Sequence, residues 1–301
     1  MPTLRRVRRV VRDPALVVDA WRAWRSPSRL FRRYTRLAAD AGVKRLFFIL
    51  SFDCDAPEDI EASMALQPRL SAIGVQPVLA VPGELLVLGR TAYRGIAAAG
   101  CEFVNHGYTQ HVYWDVRTRV YASSHFYDRL TRAEALRDIE RGEAAFREVL
   151  GVDPIGFRTP HFGTFQTPAE LRWLHRVLKE RGYRFSSSTM PYMAYRYGPV
   201  FTTFGLPEIP LSGYFSHPLR VLDTWGCCEA PGRTMTMDDY RRESLRMAHF
   251  FQDAGSIGLL NYYVDPRHVA GDPVFFETID ALKVLSQNVT YSSIVTALAG
   301  C

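Results

Sequence analysis

Several features that mark common protein classes are missing from this sequence. No segment reaches the roughly 18 unbroken apolar residues that a membrane-spanning helix needs. The amino terminus, MPTLRRVRRVVRD, has neither an apolar core nor a small-residue cleavage site, so we predict no secretory signal. The five cysteines form neither a disulfide framework nor a paired C-x-x-C zinc pattern. These absences argue against a membrane-spanning or disulfide-stapled secreted protein and favour the cytoplasm.

Positive charge is concentrated at the amino terminus. Residues 1–36 contain eleven arginines, no lysine and two aspartates, so this leader has a net charge of +9. Because the whole chain carries +6, the remaining residues sum to −3. A nucleic-acid-binding domain would carry its positive charge on a folded face within a recognisable module. The distribution therefore argues against nucleic acid as a partner.

We predict that residues 1–40 form a basic amphipathic helical leader and that residues 41–301 form a separate domain. The stretch LRRVRRVVRD places valines on one helical face and arginines on the other, and the following stretch adds Trp21 and Trp24. Such a leader can touch an anionic membrane surface as a peripheral contact. It can also pack on the domain with its arginines in solvent. The sequence leaves both interpretations open.

From Val43 onward, predicted strands and helices alternate. Apolar runs of strand length, such as LFFILSF and CEFVN, are followed by amphipathic stretches such as LTRAEALRDIERGEAAFREVLG. About six to eight such units in series are typical of an α/β fold whose parallel sheet closes, or nearly closes, into a barrel. In such barrels, the loops at the carboxyl ends of the strands build the functional site.

Polar side chains follow three of the predicted strands, where the site should lie. SFDCD ends the first strand with Asp53 and Asp55, NHGYTQH ends the third with His106 and His111, and GFRTPHFG carries Arg158. A carboxylate and two imidazoles with positions open for water are the ligand set of a catalytic zinc or a similar divalent ion. The ion lowers the pKa of bound water towards about 7, and a second carboxylate can then act as general base. A nearby arginine keeps that base ionised.

On these motifs, the chain from about Lys44 onward resembles the polysaccharide deacetylases of carbohydrate esterase family 4. Members of that family have a distorted (β/α) barrel and remove acyl groups from amino sugars with a divalent metal. The resemblance implies the same barrel for residues 41–301, with zinc as the expected metal. It also implies an enzyme of carbohydrate metabolism that removes an acetyl or formyl group from an amino sugar. Because the sequence shows no export signal, we expect a cytoplasmic substrate: a nucleotide sugar, a lipid-linked glycan precursor or a glycosylated small molecule.

The resemblance assigns roles to the motif residues. It implies that Asp53 is the catalytic base, that Asp55 and His106 bind the metal, and that Arg158 positions the base. The backbone N–H near His161 would help to hold the oxyanion of the intermediate.

Four residues are expected to contact the substrate. Pro160 and His161 follow the arginine of the third motif, Trp225 lies in LDTWG, and Tyr262 lies in LLNYY. For an aromatic residue such as Trp225, stacking on a sugar ring and packing in the core are both open.

Two departures from the family pattern bear on the site. The second histidine usually follows the first by four residues, where Gln110 stands here. We expect His111 to be the ligand through a local bulge, with Gln110 as the alternative. In IGLLNYYVDPRH, an asparagine and two tyrosines occupy the place of the family's general acid, a histidine. We expect His268 to act as the acid, and a tyrosine or a water molecule remains an alternative.

Three functions are compatible with the sequence. The first is the metal-dependent hydrolase of N-acylated amino sugars. The second is a degenerate barrel that binds a glycan or a partner without turnover, which the shifted ligand and the absent histidine favour. The third keeps the barrel but has different chemistry, such as hydrolysis of a cyclic amide, which relatives of this fold also perform.

Overall fold

The computed structural model of the chain describes residues 15–229 and 235–299. The strands within these residues pair in one large parallel sheet and one small antiparallel hairpin. In chain order they are β1 (Leu46–Asp53), β2 (Val78–Val81), β3 (Glu102–Asn105), β4 (Val112–Asp115), β5 (Val120–Ser123), β6 (Gly156–Phe157), β7 (Phe185–Ser186), β8 (Gly258–Val264) and β9 (Gln287–Asn288).

Helices follow most of the strands, as the alternating sequence pattern predicts. They are α1 (Ala15–Arg25), α2 (Pro27–Asp40), α3 (Glu58–Ala72), α4 (Gly83–Leu88), α5 (Arg90–Ala98), α6 (Arg132–Leu150), α7 (Pro168–Glu180), α8 (Pro191–Tyr197), α9 (Trp225–Cys228), α10 (Met237–Asp253), α11 (Pro266–Val269), α12 (Pro273–Leu285) and α13 (Tyr291–Ala299). Helix α6 begins with a capping box between Thr131 and Glu134 and ends at Gly151, whose φ of 72° suits a glycine.

The large sheet curls into a distorted barrel. Its strand order is β7-β6-β3-β2-β1-β8, with β9 also paired to β1, and all of these pairs are parallel. The irregular segment 207–212 bridges the two outer strands: Ile209 N donates to Ser186 O at 2.9 Å, and Ser212 N donates to Asn261 O at 2.8 Å. The (β/α) barrel expected from the sequence is therefore confirmed.

The interior of the barrel has an apolar lower part and a polar upper part. Successive side chains of a strand point to opposite faces, so Ile49, Ser51 and Asp53 of β1 face inward. Ile49 is fully buried against Val78 and Leu259. The polar side chains sit above this floor, at the carboxyl ends of the strands.

Helices α1 and α2 pack on the barrel. Phe31 and Tyr34 of α2 are buried in the main hydrophobic cluster, and Tyr34 Oη donates to Leu259 O at 2.6 Å. In α1, Asp19 pairs with Arg196 of α8. The predicted helix LRRVRRVVRD lies outside the described residues. No helix among the described residues is long and apolar enough to cross a membrane.

Candidate metal centre

The polar residues predicted from the three motifs meet at one edge of the sheet. Asp53 is the last residue of β1, His106 directly follows β3, and Arg158 directly follows β6. Because these strands are parallel, their carboxyl ends lie side by side. The apolar residues of each strand anchor it between the barrel floor and the helices, which holds the following polar side chain in place.

Asp55, His106 and His111 point their ligand atoms at a common point. All three side chains are buried, and their ligand atoms lie within 4.8 Å of one another. Asp55 Oδ1 is 2.9 Å from His111 Nε2 and 3.4 Å from His106 Nε2. Ligand atoms at tetrahedral angles around zinc, each about 2.1 Å from the ion, are about 3.4 Å apart. The spacing of the three groups therefore fits a small divalent cation.

Hydrogen bonds to the other ring nitrogens orient the two imidazoles. His106 Nδ1 lies 2.9 Å from Arg158 O, and His111 Nδ1 lies 3.3 Å from Thr109 O. A carbonyl oxygen accepts only, so each Nδ1 carries the proton and each Nε2 presents a lone pair to the common point. Asp55 Oδ1 and His111 Nε2 are buried without a hydrogen-bond partner. These two acceptors face each other, and a bound cation would remove the repulsion between them.

The carboxylate of Asp55 is held in its ionised form. Burial raises its pKa, but the positive charge that His111 and His106 carry when Nε2 is protonated outweighs this effect and holds the pKa well below its usual range. Asp59, at the start of α3, accepts hydrogen bonds from the backbone N–H of Asp55 and of Ala56, both at 2.9 Å. The backbone that carries Asp55 is thereby fixed.

The one-residue shift of the second histidine is accommodated by the loop that carries it. Gln110 turns away from the site: its side-chain Nε2 donates to Val112 O at 2.7 Å, and its backbone N–H donates to Glu84 at 2.7 Å. Gly107 has a φ of 78°, and a Cβ there would lie 2.3 Å from Asp138 Oδ2. The structure thus brings His111, and not Gln110, to Asp55.

Asp138 of α6 holds this loop. Its carboxylate accepts from the backbone N–H groups of Tyr108 and Thr109, at 3.1 and 3.0 Å, and from the hydroxyl of Tyr127 at 2.8 Å. Burial opposes ionisation, but hydrogen bonds from His125 and Thr109 lower the pKa of Asp138 to about 2. Asp138 was not singled out from the sequence, where it looks like any acid on an amphipathic helix.

Arg158 neutralises Asp53, the first acid of the SFDCD motif. Its guanidinium is completely buried and donates to Asp53 Oδ1, to Ser51 Oγ at 3.0 Å and to the hydroxyl of Tyr291. Burial raises the pKa of Asp53, while the charge of Arg158 acts against this. The other carboxylate oxygen, Asp53 Oδ2, lies 3.9 Å from His106 Nε2 and so faces the candidate metal position.

A buried polar network supports Arg158 from below. Asn261 of β8 accepts a hydrogen bond from Tyr291 Oη at 2.7 Å and donates to Ser187 Oγ at 3.1 Å. Ser187 O accepts from Arg158 Nε at 3.3 Å. Asn261 therefore positions the arginine through its neighbours. The alternation along β1 could have pointed to Ser51, but no local signal marks Tyr291.

Pro160 and His161 lie beside the metal ligands. Pro160 is buried, and the His161 ring centroid is 4.9 Å from that of His111. His161 Nε2 lies 2.6 Å from Ser124 O. Burial lowers the pKa of His161 to about 3, so this ring is neutral at neutral pH. Its backbone φ of 60° lies in the left-handed region, which is uncommon for a residue with a side chain.

Tyr262 and His268 do not meet at the site. The ring of Tyr262 is buried in the main core beside Tyr240, because β8 turns residues 261 and 263 inward and residue 262 outward. His268, in the short helix α11, has its ring nitrogens 3.1 Å from Glu229 Oε1 and 3.4 Å from Asp265 Oδ2. These groups occupy both nitrogens, and no contact joins His268 to Asp53 or Asp55 among the described residues.

Trp225 is half-buried at the start of α9. Its neighbour Thr224 accepts from the backbone N–H of Asp265 at 2.9 Å, which ties this segment to the end of β8. Tyr263, which follows Tyr262, is the residue of this strand that turns towards the acids.

Known proteins resemble the chain in structure more than in sequence. No family model and no curated protein matches it. A Mycobacterium smegmatis protein assigned as a polysaccharide deacetylase matches with 20% identity and a TM-score of 0.62, over 85% of this chain and 91% of its own. A Pseudomonas aeruginosa PAO1 protein with the same assignment matches over equal shares, with 12% identity and a TM-score of 0.61. Puue allantoinase matches over equal shares too, with 11% identity and a TM-score of 0.58.

At these levels of identity, the matches establish the fold and leave the chemistry to the residues of the site. The M. smegmatis and P. aeruginosa proteins and the allantoinase each align over about nine tenths of their own length. The chain has the fold of the polysaccharide deacetylases, at low sequence identity.

Proposed function

We propose that this protein is a divergent polysaccharide deacetylase that hydrolyses the N-acyl group of an amino sugar with a bound divalent metal. The observation that carries the proposal is the convergence of Asp55, His106 and His111 beside the Asp53–Arg158 ion pair. A structural ion pair would need no cluster of buried acceptors next to it. A metal-dependent hydrolase needs three protein ligands with a base at hand.

Each residue of the site has a distinct task in this reaction. When bound, the divalent ion would polarise the acyl oxygen and lower the pKa of a water molecule. Asp53 takes the proton from that water through Oδ2, since Arg158 engages Oδ1. Arg158 keeps the carboxylate ionised and fixes its direction. The neutral ring of His161 borders the same space without adding charge to it.

Zinc is the metal that we propose. One carboxylate and two imidazoles are typical of catalytic zinc sites, which leave the remaining positions for water and substrate. The two ring nitrogens are held by carbonyl oxygens behind them, as in many sites for this ion.

A lipid-linked amino sugar is the substrate class that the leader supports. Val17, Trp21 and Trp24 of α1 are exposed by 51%, 57% and 79%. The neighbouring helix α2 exposes Arg29 and Arg32 among other arginines. Tryptophan and arginine together favour the interface of an anionic membrane, where lipid-linked sugars reside. We therefore propose peripheral contact with the cytoplasmic face of the membrane; a nucleotide-linked amino sugar is the alternative.

Metal analysis and a deacylation assay test the proposal together. The purified protein should hold one divalent ion per chain by mass spectrometry, and Asp55→Ala should remove it. Asp153→Ala is the matched control, because that carboxylate is 74% exposed on the surface. Acetylated and formylated amino sugars, linked to uridine diphosphate or to a polyprenyl diphosphate, should release a free amine with acetate or formate.

The assay also separates the two other functions. Bound metal without amine release from any of these substrates would favour a degenerate barrel that binds a glycan. Ring opening of a cyclic amide, without release of acetate or formate, would favour the reaction class of the allantoinase whose fold is similar. A protein that binds no metal under these conditions contradicts the proposed hydrolase.

A further inference from the structure

We propose that Tyr263, supported by Asp223, gives the proton to the departing amine. The inference rests on the proposed deacylation and names a group that the sequence left open. Breaking a C–N bond of an amide releases a poor leaving group unless its nitrogen receives a proton in the same step. Asp53 is the base in this reaction, so a separate donor is needed on the substrate side.

Strand register places Tyr263 on the inner face of the barrel. In the parallel pair of β1 and β8, Ser51 lies opposite Tyr263. Ser51 shares its face with Asp53, and both contact Arg158. Asn261, two residues earlier on β8, points inward to the polar network. Tyr263 therefore lies on the same face of β8 as Asn261 but nearer the carboxyl end of the strand, towards Asp53.

The surroundings of Tyr263 belong to the site. Its ring centroid lies 5.0 Å from that of Phe162 and 5.9 Å from the guanidinium carbon of Arg158. Burial raises the pKa of its hydroxyl well above the usual value, and the charges of Asp223, Asp265, Asp53 and Asp55 act in the same direction. The phenol therefore keeps its proton at neutral pH and can act as a proton donor.

Asp223 is the acid that interacts most strongly with this hydroxyl through its charge. Its carboxylate accepts from the backbone N–H of Gly226 at 2.6 Å, which fixes its position. Burial, and the nearby charges of Asp265 and Asp53, raise the pKa of Asp223 to about 6. A fraction of the carboxyl is therefore protonated close to neutral pH. The titratable groups around it are Asp53, Tyr214, Cys227, Tyr240, Tyr263 and Asp265.

The proton transfer balances along this pair. As the C–N bond of the tetrahedral intermediate breaks, the nitrogen takes the proton of Tyr263 Oη. Tyr263 Oη takes the proton of the Asp223 carboxyl, so no phenolate accumulates. Asp53 then releases to solvent the proton that came from water, and Asp223 takes a proton from solvent. The products are the free amine and the carboxylic acid, with both residues restored.

His268 is the competing donor, and its contacts argue against it. Glu229 and Asp265 hold its two ring nitrogens, and Thr224 Oγ1 also lies 3.2 Å from Nδ1. The ring of Tyr263 faces the guanidinium carbon of Arg158 at 5.9 Å. Tyr263 is thus the catalytic residue in this step, and Asp223 is its positioning residue.

Substrates with different leaving groups provide the test. The aryl ester 4-nitrophenyl acetate releases its phenolate without a proton, whereas an N-acetyl amino sugar needs one. The amide used is the one that the wild type hydrolyses fastest. For this amide, we expect Tyr263→Phe to lower kcat/KM by about 10²–10⁴-fold. For the ester, we expect the same variant to lower kcat/KM by less than about threefold. Asp223→Asn should show the same selective loss, to a smaller extent. Asp53→Asn should lose both activities, because the base serves both substrates.

Four results decide the matter. Tyr263→Phe is folded if its metal content and melting temperature equal those of the wild type. In that case, a selective loss of activity on the amide supports the proposal. An equal loss on amide and ester, or no loss on the amide, overturns it. A selective loss in His268→Gln would assign the proton to His268 instead and would also overturn it. A wild-type protein that hydrolyses no amide overturns the proposed function itself, which distinguishes the two failures.

Discussion

Replacing Arg158 by methionine perturbs the central ion pair of the site. The guanidinium is completely buried and donates to Asp53, to Ser51 Oγ at 3.0 Å and to Ser187 O at 3.3 Å. Methionine is flexible and apolar and fills much of the same space, so the change removes the charge and the donors and leaves only a small cavity. The carboxylate of Asp53 then remains in the barrel without the cation beside it.

The cost of this change follows from the burial of both partners. Removal of one member of a buried ion pair costs about 3–5 kcal/mol, because the other charge stays buried and unpaired. The side chains of Arg158 and Asp53 are 0% and 5% exposed, so solvent screens their interaction little. We therefore expect the free energy of unfolding of Arg158→Met to fall by about 4 kcal/mol at pH 7.

Urea unfolding followed by circular dichroism measures this value. Arg147→Met is the matched control, since its ion pair with Asp153 is exposed by 54% and 74% and should contribute no more than about 1 kcal/mol. A double variant with Asp53→Asn should recover part of the loss, because no unpaired charge is left. A loss below about 1 kcal/mol in Arg158→Met would refute the reasoning.

Metal binding, the histidine loop and a second buried carboxylate give further predictions. Zinc at about 100 times its dissociation constant should raise the free energy of unfolding by about 2.7 kcal/mol; calorimetry should show no such rise for Asp55→Ala. Asp138→Ala should weaken zinc binding by about 10–100-fold in titration calorimetry, because the loop before His111 loses its anchor, and unchanged affinity would contradict that role. Burial raises the pKa of Glu208, but His175 and backbone donors hold it below its usual value. Its stabilising effect is therefore present above about pH 4.3 and lost as pH falls. Between about pH 5 and pH 3, Glu208→Gln should therefore lose less stability in urea than the wild type; an equal loss argues against this carboxylate.

The order of the motifs was enough to predict the architecture and the grouping at its edge. SFDCD, NHGYTQH and GFRTPHFG each follow an apolar run, and parallel strands end at one edge, so the acids and imidazoles were expected to be neighbours. The structure has them as neighbours, and the barrel is confirmed. Local sequence carries this information because each residue sits directly after its own strand.

The residues that sequence reasoning misplaced or did not single out depend on contacts between distant segments. Alternation along LLNYYVD shows that Tyr262 and Tyr263 point to opposite faces, but only the register of β8 on β1 decides which one faces inward. Asp223 lies about 40 residues before Tyr263, in an irregular segment whose path no local pattern specifies. Tyr291 reaches Arg158 from α13, at the far end of the chain.

The two acids of SFDCD differ in the groups that can offset their charge. Burial disfavours the ionised form of both carboxylates. For Asp53, the charge of Arg158 opposes this effect, and the guanidinium donates to Oδ1. Asp55 faces two imidazoles whose Nδ1 protons are directed to carbonyl oxygens, so lone pairs oppose its Oδ1. Protonation of Nε2 would relieve that contact for one ring at a time, whereas a single divalent cation relieves all three groups together. For this reason we take the geometry around Asp55, rather than the likeness of the fold, as the main argument for a metal enzyme.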